Sequence, residues 1–127
     1  MNEEKRLIFP RVWQAVGWLL VAAVTALSLM PAPPEPPLMT WDKSNHLLAY
    51  AVLMLWFRQA FSARIRWIVF LVALGIVLEL VQGWLSYRYL EFTDMVANTL
   101  GVAGGLWLAN TSLGSLVAYL DSALGRY

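Results

Sequence analysis

Four long apolar runs alternate with short polar or proline-rich stretches along the chain. The runs cover residues 12–30, 44–61, 67–85 and 93–109. About 20 residues of α-helix cross the roughly 30 Å hydrocarbon core of a bilayer, so each run has about the length of a transmembrane helix. The pattern predicts an all-α membrane protein in which residues 1–127 form one domain, a four-helix bundle.

Two further segments complete this pattern. The proline-rich stretch 31–37 ends the first run, because proline lacks a backbone donor and clashes with the preceding helical turn. After residue 112, apolar residues recur at helical spacing and form one stripe: Leu113, Leu116, Val117, Leu120 and Leu124. This C-terminal segment is predicted to be a short amphipathic helix that either extends the fourth span or lies along the membrane surface.

Lysine and arginine are unevenly divided between the two sides of the predicted bundle. Two lie on one side, Lys43 and Arg88, and seven lie on the other: Lys5, Arg6, Arg11, Arg58, Arg64, Arg66 and Arg126. Cytoplasmic loops carry the excess of positive charge in membrane proteins, so both termini are predicted to be cytoplasmic. A cleaved signal peptide is the alternative for the first run, but that run exceeds the usual apolar length of about 7–15 residues.

Composition agrees with a membrane protein and excludes several other classes. Of the 127 residues, 60% are hydrophobic and only 13% are charged. The net charge of +1 provides no basic footprint for nucleic acid. The chain has no cysteine, which excludes a disulfide framework and a thiolate metal site.

Most of the remaining polar side chains gather at the outer, non-cytoplasmic ends of the predicted spans. The candidate binding residues there are Asp42, Lys43, His46, Tyr50, Glu79, Gln82, Arg88, Asp94 and Asn98. Glu79 lies about two turns inside the third span, and a carboxylate within a span is costly, roughly 2.5–3.5 kcal/mol at the helix centre on insertion scales. It is therefore expected to face the bundle, either as a polar clamp between helices or as part of a functional site.

Three glycines fall on helix faces that also carry polar candidates. Gly75 lies one turn before Glu79, and Gly101 and Gly105 continue the face of the fourth span that begins with Asp94. Because glycine lets neighbouring helices approach closely, all three are predicted to be helix-packing positions.

The polar residues raise two chemical alternatives to simple binding. Mixed nitrogen and oxygen donors of the kind that zinc or manganese accepts are available from Asp42, His46, Glu79 and Asp94. No compact metal motif is present, so no metal or cofactor is predicted. His46 and Glu79 are the catalytic candidates, as base and acid of a hydrolase or transferase, but no recognisable nucleophile accompanies them. Binding is therefore favoured over catalysis.

An ordered series of motif residues runs from about residue 29 to residue 106. After the prolines that end the first span it contains Asp42-Lys43, His46, Tyr50, Gly75, Glu79, Gln82, Arg88, Asp94, Asn98 and Gly101. This series resembles the VanZ-like family of small bacterial integral membrane proteins, which is named for an accessory protein of teicoplanin resistance. Leu47 stands where the family pattern suggests phenylalanine, a departure that leaves the polar residues intact. The resemblance implies a bacterial cytoplasmic-membrane protein that acts at the cell envelope through these polar residues.

One principal hypothesis and two alternatives follow. The outward-facing site is expected to bind the polar group of an amphiphile, either a membrane lipid or a lipid-linked envelope molecule, with a role in envelope function or glycopeptide tolerance. Homo-oligomerisation is left open. The first alternative is an intramembrane hydrolase or transferase acting on a lipid-linked envelope substrate. The second is a purely structural protein whose polar residues hold its helices together.

Overall fold

The computed structural model describes residues 6–30, 42–85 and 92–126, and for residues 42–44 it describes the backbone alone. Within these ranges the fold is all-helical and contains five α-helices: α1 (Pro10–Leu29), α2 (Asp42–Ala60), α3 (Arg64–Trp84), α4 (Phe92–Ala109) and α5 (Leu116–Leu124). A 3₁₀ turn, Ser112–Ser115, joins α4 to α5. The ends of α1 to α4 fall within three residues of the predicted runs, so the all-helical prediction is confirmed.

Hydropathy divides the four long helices into two classes. α1 and α3 are each long and apolar enough to cross a membrane, whereas α4 reaches that level only together with the bent segment that follows it. Polar candidates on α2 and α4, such as His46 and Asp94, lower the mean hydropathy of those two helices. The described residues therefore supply two candidate spans, or three if the bent pair counts as one. The apolar helices indicate a membrane protein, and four crossings remain a prediction.

α2 and α4 pack against each other more extensively than any other pair of helices in the described parts of the chain. Gly101 and Gly105 are buried where the two helices meet. A Cβ atom added to Gly101 would overlap the carbonyl oxygen of Leu47, and one added to Gly105 would overlap that of Ala51. The missing side chains therefore allow the two backbones to come into direct contact.

Aromatic rings fill the bundle towards the end at which α1 and α3 begin. Trp18 of α1 packs edge-on against Phe57 of α2 and Phe70 of α3, with ring centroids 5.6 and 5.5 Å apart. Phe61 and Trp67 lie closer still, with centroids 4.3 Å apart. Such aromatic pairs add about 0.5–1.5 kcal/mol each beyond the burial of their area. The cluster joins three helices by apolar contact.

The segment after α4 turns away from that helix. Ser112–Leu124 is bent by 76° from α4 and returns to the bundle through Val117, which is fully buried. The backbone N–H of Val117 donates to Gln59 Oε1 of α2 at 2.8 Å. Of the predicted apolar stripe, Val117 packs inward, whereas Leu113 and Leu124 are exposed. The bend shows that this segment does not continue α4 as a straight helix, and its position along the membrane surface stays a prediction.

Candidate functional site

Six of the nine predicted binding residues lie at one end of the bundle, where α1 and α3 end and α2 and α4 begin. We call them the polar cluster: His46, Tyr50, Glu79, Gln82, Asp94 and Asn98. All of them except His46, which is half-buried, are buried. The other three fall outside the description, because Arg88 belongs to the segment 86–91 and the side chains of Asp42 and Lys43 are not described.

His46 on α2 lies between two polar side chains of α4. Its Nδ1 atom is 3.0 Å from Asn98 Oδ1, and its Nε2 atom is 3.8 Å from Asp94 Oδ2. Asp94 and Asn98 can flank one ring because residues four apart share a helix face. An amide oxygen only accepts hydrogen bonds, so His46 Nδ1 carries a hydrogen and donates it to Asn98. The Nε2 atom then faces the Asp94 carboxylate, with which it forms an ion pair when the ring is protonated.

Asn98 is held in place by the backbone of α3. A Cβ atom added to Gly75 would lie 3.0 Å from both the Cβ and the Nδ2 atoms of Asn98, which is tighter than ordinary van der Waals contact. Asn98 itself is buried. The glycine therefore gives α3 room to pack directly on the side chain that orients His46.

Glu79 and Gln82 of α3 extend the polar cluster towards α2 and α1. Glu79 is 1% exposed, and its carboxylate is near enough to Tyr50 to interact electrostatically with the tyrosine hydroxyl. Gln82 Nε2 donates to the carbonyl oxygen of Ser28 at 2.6 Å. Ser28 lies in the last turn of α1, where carbonyl groups lack helical partners, so Gln82 caps the end of that helix. The polar cluster thus joins all four long helices.

The functional groups of the polar cluster define the chemistry available to it. The carboxylates of Glu79 and Asp94 accept hydrogen bonds from hydroxyl or ammonium groups, and the two amides both donate and accept. Among the described residues, no group of three or more His, Cys, Asp or Glu side chains is arranged to hold a metal ion. The Asp42 side chain, one of the four ligand candidates, lies outside that description.

A second hydrogen-bonded group, which the sequence patterns did not predict, lies at the opposite end of the bundle. Asp121 Oδ2 accepts a hydrogen bond from the backbone of Ile8 at 2.6 Å. Asp121 Oδ1 accepts from the backbone of Phe9 at 2.9 Å and from Trp13 Nε1 at 2.8 Å. We call these four residues the terminal junction. The available sequence signal was a lone acidic residue one turn after Val117 of the apolar stripe.

The hydrogen bonds of the terminal junction change the acidity of Asp121. Burial alone would raise the pKa of its carboxyl, but hydrogen bonds from Ile8, Trp13 and Phe9 favour the ionised form and hold the pKa below its usual value. The carboxylate also lies at the N-terminus of α1, where the helix dipole favours negative charge. The terminal junction therefore contains an ionised Asp121 at neutral pH.

Comparison with known proteins assigns this architecture to a family. The sequence model described as VanZ/LLP1 matches residues 6–115, a range that contains α1 to α4 and every residue of the polar cluster. Neither a curated protein nor a solved structure matches the chain. The family match covers most of the 127 residues and confirms the resemblance that the polar residues indicated. With a helical bundle and its polar cluster both inside the matched range, the chain belongs to the VanZ/LLP1 family.

Proposed function

We propose that this protein crosses the bacterial cytoplasmic membrane four times, with both termini inside, and binds the polar group of an amphiphile at its outer face. The bound molecule is a membrane lipid or a lipid-linked envelope molecule. The observation that carries the proposal is the position of His46 between Asp94 and Asn98, on the same end of the bundle as the buried Glu79.

The distribution of arginine supports the orientation. Within the described residues every arginine belongs to the end opposite the polar cluster: Arg6, Arg11, Arg58, Arg64, Arg66 and Arg126. Because positive charge accumulates on the cytoplasmic side, the polar cluster is assigned to the outer side. At that end of the spans its outermost residues, such as Asp94 in the first turn of α4, lie nearest to the lipid headgroups.

The dimensions of α2 and α4 support four crossings in spite of their lower hydropathy. These helices have 19 and 18 residues, and at 1.5 Å per residue each is about 27–29 Å long, close to the thickness of the hydrocarbon core. Their polar side chains, such as His46 and Asn98, contact each other across the helix pair. Polar groups paired in this way are compatible with a membrane-spanning helix.

The cost of burying charge favours a binding site over a purely structural clamp. A carboxylate costs roughly 2.5–3.5 kcal/mol at the centre of a span, and Glu79, the more deeply placed of the two, bears part of that cost, whereas an interhelical hydrogen bond in a membrane contributes about 0.6–2 kcal/mol. Apolar contacts, like those of Trp18 with Phe57, would hold the helices together without that cost. We therefore infer that the carboxylates serve a ligand.

The charges of the site suggest the class of ligand. Glu79 and Asp94 would accept hydrogen bonds from hydroxyl or amino groups, and Asp42 would join them from the start of α2. Lys43 and Arg88, which the proposal assigns to the same face, would bind phosphate or carboxylate, and the planar guanidinium suits either group. A lipid headgroup carries such groups, and so does an acylated glycopeptide such as teicoplanin. A contribution to glycopeptide tolerance is therefore part of the proposal.

An enzyme is the second candidate, and the geometry of His46 is the observation that favours it. The hydrogen bond to Asn98 fixes the ring with Nδ1 protonated, which leaves Nε2 as the atom able to take a proton. With Glu79 as the acid, the pair would serve an intramembrane hydrolase or transferase acting on a lipid-linked envelope substrate. In that case Glu79→Gln would abolish turnover and leave the folded protein in the membrane.

The deciding experiment is native mass spectrometry of the protein extracted gently together with its native lipids. It compares the wild type with Glu79→Gln. Asp121→Asn is the matched control, because it also neutralises a buried carboxylate but does so at the opposite end of the bundle. We expect wild type and Asp121→Asn to retain the same envelope lipid and Glu79→Gln to release it. Equal retention by all three proteins would contradict the binding site. Equal retention together with an earlier melting of Glu79→Gln would assign the polar cluster to helix cohesion.

A further inference from the structure

The surface around the terminal junction exposes apolar side chains next to one another. Ile8 is 58% exposed, and Phe9 and Leu124 are also exposed. A Cβ atom added to Gly125 would lie 2.7 Å from Ile8 Cδ1, so the end of α5 touches the residues that precede α1. The exposed apolar residues from the two ends of the chain therefore form one continuous patch.

The helix α5 presents one face to the protein and another to its surroundings. Val117 and Asp121, one turn apart, point into the protein. Leu116 and Tyr119, three residues apart, share an apolar outer face, and Tyr119 is 72% exposed. Arg126, two residues beyond the end of α5, is exposed. Because α5 belongs to a segment bent by 76° from α4, it lies close to the membrane plane if α4 crosses the membrane.

Charge on this surface is positive and is not offset by an exposed acid within the described residues. Arg6 and Arg11 flank Ile8 and Phe9, and Arg126 follows Gly125, where α5 meets Ile8. All three arginines are exposed. The acidic residue of this region, Asp121, is buried and accepts three hydrogen bonds from the terminal junction, so it is turned away from the surface.

We propose that Arg6, Arg11 and Arg126 form a binding surface for anionic phospholipid headgroups in the inner leaflet. Each guanidinium offers the paired donors that fit a phosphate group, and the adjacent apolar residues would rest among the upper acyl carbons. This proposal rests on the proposed orientation, in which both termini lie in the cytoplasm, and it does not involve the polar cluster. Charge complementarity selects phosphatidylglycerol-like lipids over zwitterionic ones as the occupants.

The test measures which lipids the purified full-length protein retains from equal amounts of phosphatidylglycerol and phosphatidylcholine, by native mass spectrometry. The variant Arg11→Gln/Arg126→Gln is compared with Arg64→Gln/Arg66→Gln, which removes the same charge from exposed positions at the start of α3. We expect wild type and the α3 variant to prefer phosphatidylglycerol. In the Arg11/Arg126 variant the ratio of retained phosphatidylglycerol to phosphatidylcholine should fall about fivefold for each arginine removed.

Several outcomes would overturn the proposal. If both double variants lose the phosphatidylglycerol preference equally, the preference depends on net charge and not on this surface. If neither variant loses it, these arginines do not bind anionic lipid. A dimer that forms only with Arg11 and Arg126 intact, without retained lipid, would assign the face to a second copy of the chain. Glu79→Gln separates this surface from the outer site: it should release the envelope lipid and leave the phosphatidylglycerol preference unchanged.

Discussion

The carboxylate of Asp121 and the backbone nitrogen of Ile8 are 2.6 Å apart although 113 residues separate them in sequence. Through this contact α5 is joined to the residues that lead into α1. A second tie runs from the start of α5 to α2, because Val117 N donates to Gln59 Oε1. Both contacts hold the C-terminal helix against the bundle at the end opposite the polar cluster.

Replacement of Asp121 by alanine is expected to release α5 from the start of α1. The N–H groups of Ile8, Phe9 and Trp13 would lose their acceptor in a partly buried setting, which is unfavourable. We expect a melting temperature lowered by several degrees in detergent and faster proteolysis of the C-terminal segment. Ser122→Ala, at the exposed neighbouring position, is the control and should melt like wild type. Unchanged melting of Asp121→Ala would show that the junction adds no stability.

The low pKa of Asp121 predicts how the junction responds to acid. The pKa of an aspartate in an unfolded chain is about 3.9. Because the pKa of Asp121 is lower in the folded protein, its stabilising effect is fully present above about pH 3.9. It is lost as the pH falls through the folded pKa. Hydrogen exchange of the Ile8 and Phe9 amides should therefore stay slow from neutral pH down to about pH 4 and lose its protection below it. Loss of protection already between neutrality and about pH 5 would contradict an ionised, hydrogen-bonded Asp121.

The boundaries of the long helices were predictable because they depend on local chemistry. Apolar runs of spanning length set the extent of α1 to α4, and the prolines after residue 30 stop the first helix. The contact between Asp121 and Ile8 was not predictable, because it depends on the bend between α4 and α5. Helical spacing identified a face of α5, but it did not identify what that face would contact.

The polar cluster was predictable along each helix but not between helices. Spacing of four placed Asp94 and Asn98 on one face of α4. That His46 lies between them depends on how α2 is rotated against α4, and this rotation is set by backbone contact at Gly101 and Gly105. A sequence reports which glycines are available, whereas the pairing of two helix faces is a property of the packed bundle.

The orientation of His46 can be measured directly because it is the only histidine in the chain. The hydrogen bond to Asn98 Oδ1 requires a hydrogen on Nδ1, so ¹⁵N NMR of the neutral ring should report mainly the Nδ1–H form. Asn98→Ala removes the acceptor, and the preference for Nδ1–H should be lost. Thr99→Ala, next in sequence and exposed, is the control that should leave the spectrum unchanged. A wild-type ring protonated at Nε2 alone would contradict this geometry.

Close contact between α2 and α4 predicts opposite effects for two glycines three residues apart. In Gly101→Ala the new methyl group would meet the Leu47 carbonyl and lie 3.0 Å from Tyr50 Cβ, so the helices must separate. Overpacking of this kind costs about 1–3 kcal/mol. Gly104→Ala is the matched control, because a Cβ there has no neighbour within 4 Å, and better helix propensity should add up to about 1 kcal/mol. Unfolding in detergent should therefore rank Gly104→Ala at or above wild type and Gly101→Ala below it. Equal stability of the two variants would mean that α2 and α4 are not in backbone contact at Gly101.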